Sequence, residues 1–150
     1  MGCRPRRDAA VATRSELILV DSSAWVEFLR GTGSPVNTQV RTLLESRTVL
    51  ATTEPIVMEV LAGARDEGHL RMLRRLVLGC HMIPLGGLSD YEEAADIYRT
   101  CQRAGLTVRR LVDCLIATVA ITANAPLLHA DSDFDLIAQR TALRIATPAK

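Results

Sequence analysis

The most constraining feature of the chain is an unbroken apolar run, Leu17 to Val20, that leads directly into Asp21. Four aliphatic residues without polar alternation are typical of a strand buried on both faces, as in the middle of a parallel sheet. Ser22 or Ser23 is then expected to be the N-cap of a helix. Asp21 is therefore predicted at the carboxyl end of a central strand, where open α/β sheets bind their ligands.

Strand-like and helix-like segments alternate along the rest of the chain. Further short strands are predicted at four places: 48–52, 81–85, 127–129 and 143–145. Helices are predicted between them, and a capping box formed by Ser89 and Glu92 is expected to begin a long helix that ends before Gly105. Such alternation predicts an α/β sandwich with a mainly parallel central sheet.

Composition limits the possible functions. The 150 residues suffice for one domain, and an apolar content of 48% supplies its core. A net charge of +1 and only 3% aromatic residues argue against binding nucleic acid through overall charge or a row of stacked rings. The four cysteines show no metal-ligand spacing, which favours the reducing cytoplasm. No apolar run reaches the roughly 18 residues of a membrane span, so we expect no membrane association.

The N-terminal segment differs from the rest of the chain. It contains four arginines and two acids and lacks the apolar stretch of a signal peptide. We expect residues 1–16 to be a flexible basic leader, or the product of an over-called translation start, and residues 17–150 to be the folded domain.

The candidates for chemistry are five acids that follow strands or fall inside apolar helices. Asp21 follows the first strand, and Asp131 and Asp133 follow a later one. Glu59 and Asp113 lie within predicted apolar helices, where an unpaired carboxylate is costly. Carboxylates brought close together cannot all stay ionised without a cation. Oxygen ligands favour Mg²⁺ or Mn²⁺, and the lack of neighbouring His or Cys pairs argues against zinc.

Each acid also has an ordinary structural alternative. Asp21 could be only a helix cap, and the two acids after the later strand could be turn or cap residues. Glu59 could be a solvated or arginine-paired acid on its helix. Asp113 could pair with Arg109, four residues earlier on the same face. These alternatives stay open for each acid considered alone.

Considered together, the acids lie in four motifs that resemble those of PIN-domain ribonucleases, specifically the VapC-like toxins of type II toxin–antitoxin pairs. The motifs are Val20-Asp21-Ser-Ser-Ala-Trp25, Glu54-Pro-Ile-Val-Met-Glu59-Val-Leu-Ala-Gly63, Val108-Arg109-Arg-Leu-Val-Asp113-Cys-Leu-Ile-Ala117 and His129-Ala-Asp131-Ser-Asp133-Phe134. Each motif is weak alone, but four in order at matching positions make a strong signal. The resemblance extends from Leu17 to the C-terminus and implies a PIN-like three-layer α/β/α sandwich.

The resemblance also implies an activity. A VapC-like protein would be a Mg²⁺- or Mn²⁺-dependent endoribonuclease that hydrolyses RNA, tRNA or another structured RNA, and so inhibits translation. Water, not a protein nucleophile, would attack the phosphorus. The implied catalytic acids, which would also bind the metal, are Asp21, Glu59, Asp113 and Asp131. Asp133 is a further or alternative metal ligand.

Substrate contacts are expected around this cluster. Ser23 could hydrogen-bond a phosphate or a metal-bound water, although a helix cap is an equal alternative. Arg109 and Arg110, with Arg30 or Arg65, could offset the repulsion between an acidic pocket and a polyanion. Any one of these arginines could instead serve only solubility or ion pairing.

The implied partners are a VapB-like antitoxin and a second copy of the chain. The antitoxin tail would cover the acidic groove and insert an arginine there, in place of the cation. The apolar faces of the helices at Val36–Leu44 and Ile56–Leu61 are candidates for these contacts, although the default role of both faces is the protein's own core.

Other functions remain possible from the residues. A PIN nuclease of RNA processing, or one acting on DNA, would need no antitoxin, and a PIN-like domain could bind without catalysis. An aspartyl-phosphate hydrolase is disfavoured, because Ser23 stands where that class has a second Asp and the only lysine is Lys150.

Overall fold

A computed structural model describes residues 16–146, and its four-stranded sheet is parallel throughout this range. The strands are β1 (Ile18–Val20), β2 (Leu50–Thr52), β3 (His81–Met82) and β4 (Leu127–Leu128), in the order β3-β2-β1-β4. The mainly parallel sheet predicted from the sequence is thus confirmed. The strand expected at 143–145 is reduced to a parallel bridge between Ile145 and Leu127.

Helices cover both faces of this sheet. Leu19 and Val20 point to opposite faces of β1, and both are fully buried, as a three-layer sandwich requires. The helices are α1 (Ser22–Arg30), α2 (Pro35–Glu45), α3 (Glu54–Ala62), α4 (Glu67–Leu78), α5 (Leu88–Arg103), α6 (Leu111–Thr122) and α7 (Ser132–Ala138). None of the helices within residues 16–146 is long and apolar enough to cross a membrane.

Helix α6 is the most deeply buried helix in the described part of the chain. Every residue from Asp113 to Ala120 is buried, which explains why the sequence here is apolar on all sides. Its first turn places Asp113 inside the protein. The helix begins at Leu111, three residues later than the sequence pattern predicts.

Two predicted helix starts were wrong. Asp21, not a serine, is the N-cap of α1, and its carboxylate accepts a hydrogen bond from the backbone nitrogen of Ser23. No capping box begins α5. The chain enters that helix through Gly87, whose φ of 79° favours glycine, so the helix already includes Ser89. The expected leader falls almost wholly within residues 1–15, which lie outside the described part.

Candidate active site

Four elements bring acidic side chains to the carboxyl edge of the sheet. Asp21 follows β1, Asp131 follows β4, Glu59 lies on α3, and Asp113 lies in the first turn of α6. The side chains of Asp21 and Asp113 are fully buried, whereas those of Glu59 and Asp131 are 16% and 13% exposed. The four acids that the resemblance identified therefore border one region. We call Asp21, Glu59, Asp113 and Asp131 the acid cluster.

Arg110 connects three members of the acid cluster. Its Nη1 atom donates to Oε2 of Glu59 at 3.1 Å. Its Nη2 atom donates to Oδ1 of Asp113 at 3.1 Å and to Oδ2 of Asp131 at 3.3 Å. The alternative pairing of Asp113 with Arg109 is not observed, since Arg109 contacts Asp131 and Asp133. Because α6 begins at Leu111, residue 109 precedes the helix and the four-residue spacing does not place the two side chains together.

Arg109 holds a different pair of acids. Its backbone nitrogen and Nε donate to Asp133 at 3.0 and 3.2 Å, and its Nη2 donates to Asp131 at 3.0 Å. Asp133 is buried, and both of its carboxylate oxygens accept from Arg109. The predicted substrate contact of Arg109 stays a prediction, since the observed partners of this side chain are carboxylates.

Serines fix the orientation of two cluster acids. The Ser23 hydroxyl donates to Oδ2 of Asp21 at 2.6 Å and accepts from the backbone nitrogen of Ala130 at 2.9 Å. The Ser22 hydroxyl donates to Glu59 at 3.3 Å. The sequence did not indicate the Ser22 contact, because 37 residues separate the partners. Ser23 is thus engaged by protein atoms, and its direct contact with substrate or metal-bound water stays a prediction.

Burial raises the pKa values of Asp21, Glu59 and Asp113, and mutual repulsion adds to this effect at Glu59 and Asp113. Burial raises the pKa of Asp113 to about 7, although the charge of Arg110 acts in the opposite direction. Burial also raises the pKa of Asp21, against the hydrogen bonds from Ser23. The pKa of Glu59 is raised by burial and then by the charge of Asp21. The positive charge of Arg110 thus does not offset the effect of burial on the pKa values of these three acids.

The donor atoms fit a hard divalent cation. Oδ1 of Asp21 and Oδ2 of Asp113 are buried and have no hydrogen-bond partner within residues 16–146. Such orphan oxygens are costly unless a cation or water satisfies them. One oxygen each of Asp113, Asp131 and Asp133 also lie within 4.8 Å of one another. An all-oxygen set of this kind suits Mg²⁺ or Mn²⁺.

A groove of about 750 Å³ opens beside the cluster. Glu59 and Arg110 belong to its lining, together with the cations Arg30 and Arg65. Its apolar lining comes from α1, α3 and α4 and includes Leu29, Val60 and Leu73. The groove therefore combines positive charge, apolar surface and access to two of the residues at the site.

Known proteins show the same architecture and sequence pattern. The PIN domain family model matches residues 18–139. VapC ribonuclease Mb1587 of Mycobacterium bovis and ribonuclease VapC11 of Mycobacterium tuberculosis are each 47% identical to the chain over 132 residues, which cover 87% of it and 98% of the relative.

Solved structures share the fold at lower identity. VapBC-1 from nontypeable Haemophilus influenzae gives a TM-score of 0.67 at 16% identity, over 89% of this chain and 99% of its own. VapBC2 from Rickettsia felis, bound to a DNA fragment from its promoter, gives a TM-score of 0.66 at 15% identity, over 87% of this chain and 97% of its own. The family match, the curated relatives and the fold agree: the chain belongs to the PIN-domain family and, within it, to the VapC ribonucleases.

Proposed function

We propose that this protein is a divalent-metal-dependent endoribonuclease and the toxin of a toxin–antitoxin pair. The observation that carries the proposal is the acid cluster, in which two buried carboxylate oxygens have no partner among the described residues. Curated relatives that are 47% identical carry the name ribonuclease, which supports the reaction class. The proposed metal dependence rests on the carboxylate oxygens of the acid cluster, which are the kind of ligand that Mg²⁺ and Mn²⁺ prefer.

In this proposal the acid cluster holds the cation, and Asp133 is an alternative ligand. Once bound, the cation would supply positive charge at the scissile phosphate and lower the pKa of a water molecule. The protein's own residues have preparatory roles. Ser23 orients the Asp21 carboxylate, and Arg109 holds Asp131 and Asp133 in place. Because water would be the nucleophile, no side chain needs to form a covalent intermediate.

The proposed substrate is a structured RNA, with tRNA as the first class to test, and its cleavage would inhibit translation. The cations of the groove support a polyanionic ligand, since Arg30 and Arg65 lie in the same lining as Glu59. Contacts of this kind hold a phosphate backbone but do not read base sequence. The RNA substrate is therefore to be identified by sequencing the ends of the cleaved RNA.

The proposed partner is a VapB-like antitoxin that covers the groove and inserts an arginine into the acid cluster. Structural neighbours that are VapBC complexes support this partner. On the two helices considered for these contacts, Val40, Ile56 and Val60 are buried in the core, which was the default role of those faces. Leu44 and Met58 are exposed on these two helices, and the exposed apolar residues that line the groove itself are Val26 and Leu29 on α1.

We also propose a homodimer in the cytoplasm. The free thiols of Cys80, Cys101 and Cys114 are consistent with a reducing compartment. Sedimentation of the purified protein would measure the dimer directly.

The proposal is tested by RNA cleavage with purified wild type and Asp113→Asn, in Mg²⁺, in Mn²⁺ and in chelator. We expect cleavage only by wild type with metal. Asp96→Asn is the matched control, because Asp96 is an exposed acid on α5, outside the acid cluster. Cleavage by a folded Asp113→Asn protein, or by wild type in chelator, would refute the metal-dependent mechanism. RNA binding without any cleavage would favour a non-catalytic PIN-like domain.

A further inference from the structure

One cation of the protein itself lies inside the acid cluster. Arg110 is the N-cap residue of α6, and its backbone carbonyl accepts from the nitrogen of Asp113, so its main chain is fixed by the start of the helix. From this point its guanidinium reaches three carboxylates. The side chain is 47% exposed, so it enters the cluster from the solvent side.

The guanidinium occupies the position that a bridging cation needs. A single nitrogen, Nη2, lies 3.1 Å from Asp113 and 3.3 Å from Asp131. A divalent cation such as Mg²⁺ would bind carboxylate oxygens at about 2.1 Å. Guanidinium has only donors and cannot itself become a ligand, so a metal at these oxygens would share them with Arg110 and lie close to its positive charge.

A cation bound only to the orphan oxygens would still be opposed by Arg110. Oδ2 of Asp113 belongs to the carboxylate whose other oxygen already accepts from Nη2. A divalent ion at that carboxylate would lie close to a positive charge in a largely buried site, where repulsion is weakly screened. Arg110 and the metal therefore oppose each other wherever in the cluster the metal binds.

We propose that Arg110 is an internal counter-ion that competes with the divalent cation for the acid cluster and turns away from its carboxylates when the cation binds. This inference rests on the proposed metal-dependent function and adds a control of metal loading. Without metal, Arg110 would neutralise part of the buried negative charge. With metal, its guanidinium would leave the carboxylates but stay within the groove that Arg110 already lines with Arg30 and Arg65, where it could meet a phosphate.

Metal affinity tests the competition without reference to activity. Isothermal titration of metal-free protein with Mn²⁺ and with Mg²⁺ compares wild type with Arg110→Gln and Arg110→Lys. We expect Arg110→Gln to bind metal about 10-fold more tightly, within the range usual for coupled equilibria. Arg110→Lys keeps a charge but not the planar fork, so its affinity should lie between the two. Arg65→Gln is the matched control, since it removes a groove cation that is not ion-paired to the described acids of the cluster.

The wild-type protein gives a second measurement that does not depend on how the variants fold. Guanidinium nitrogens held by carboxylates rotate slowly and give resolved NMR signals, which can be assigned to Arg110 by their loss in Arg110→Lys. We expect these signals to collapse at saturating Mg²⁺. Resolved signals that persist at saturation, or an Arg110→Gln protein with unchanged or weaker metal affinity, would overturn the inference.

The two proposals fail in different ways. If wild type binds neither Mg²⁺ nor Mn²⁺, the metal-dependent function fails and the inference fails with it. If wild type binds metal and cleaves RNA but Arg110→Gln gains no affinity, only the role of Arg110 is wrong.

Discussion

The hydroxyl of Ser23 connects Asp21 to Ala130, because it donates to Oδ2 of Asp21 at 2.6 Å and accepts from the Ala130 nitrogen at 2.9 Å. One side chain therefore joins the segments that follow the neighbouring strands β1 and β4. It also leaves Oδ1 of Asp21 as the oxygen without a partner among the described residues. The carboxylate is thus oriented before any ligand arrives.

Ser23→Ala should weaken divalent-metal binding because the Asp21 carboxylate would lose this orientation. Residues that orient a metal ligand are typically worth roughly 10- to 100-fold in affinity, and we expect a loss in that range. Ser23→Thr retains the hydroxyl and should restore binding. Ser22→Ala is the comparison, with a smaller expected effect because its contact with Glu59 is long, at 3.3 Å. Calorimetric titration with Mn²⁺ measures all three, and unchanged affinity in Ser23→Ala would disprove the role.

The metal-free protein should become less stable as pH rises from about 5 to 7. The pKa of Asp113 is raised by burial to about 7, against an ordinary value of 3.8. Between these values the folded state binds more protons than the unfolded state, so the free energy of unfolding falls with increasing pH. Asp113 alone would lower the free energy of unfolding by up to about 1.4 kcal/mol for each pH unit between these values. Denaturant unfolding in chelator at several pH values measures the slope.

Asp113→Asn provides the control for this pH dependence. The amide cannot ionise, so the slope between pH 5 and 7 should shrink. At pH 8 the metal-free variant should be more stable than wild type, since a buried charge has been removed while Arg110 keeps Glu59 and Asp131 as partners. If the free energy of unfolding of Asp113→Asn falls with pH as steeply as that of wild type, a group other than Asp113 titrates in this range.

Local patterns in the sequence predicted the framework of the site. The apolar run before Asp21 predicted a buried strand, and the place of an acid at its end followed from the geometry of parallel sheets. The N-cap was misassigned by one residue, since Asp and the following serines are equally good caps and only the backbone distinguishes them.

The charge pairing could not be predicted from sequence. Arg109 meets Asp133 across 24 residues, and Arg110 meets Glu59 across 51. These contacts depend on where α6 begins relative to α3 and to the loop before α7. Helical spacing instead suggested a local pair of Asp113 with Arg109. That pair requires both residues to lie in one helix, but α6 begins only at Leu111.

Asp133 and Asp113 should differ in their effect on metal binding. Both Asp133 oxygens accept from Arg109, whereas Asp113 has one oxygen without a partner among the described residues. We therefore expect Asp113→Asn to lose more than the roughly 100-fold in Mn²⁺ affinity that a supporting residue can cost, and Asp133→Asn to lose about 10-fold or less. Equal losses would instead identify Asp133 as a ligand, which its position near Asp113 and Asp131 also allows.

Leu29→Asp should prevent antitoxin binding while leaving the metal site intact. Leu29 is 39% exposed and lines both the groove beside the acid cluster and a neighbouring apolar depression. A helix or tail of the antitoxin that fills the groove would therefore cover Leu29. A carboxylate buried there would lose its hydration without gaining a partner. Leu88→Asp places the same charge on an exposed apolar residue of α5 outside the groove lining. Co-purification with a cognate VapB-like antitoxin should fail for Leu29→Asp and succeed for Leu88→Asp, with equal Mn²⁺ affinities. Equal recovery of both complexes would show that the antitoxin binds a surface that does not include Leu29.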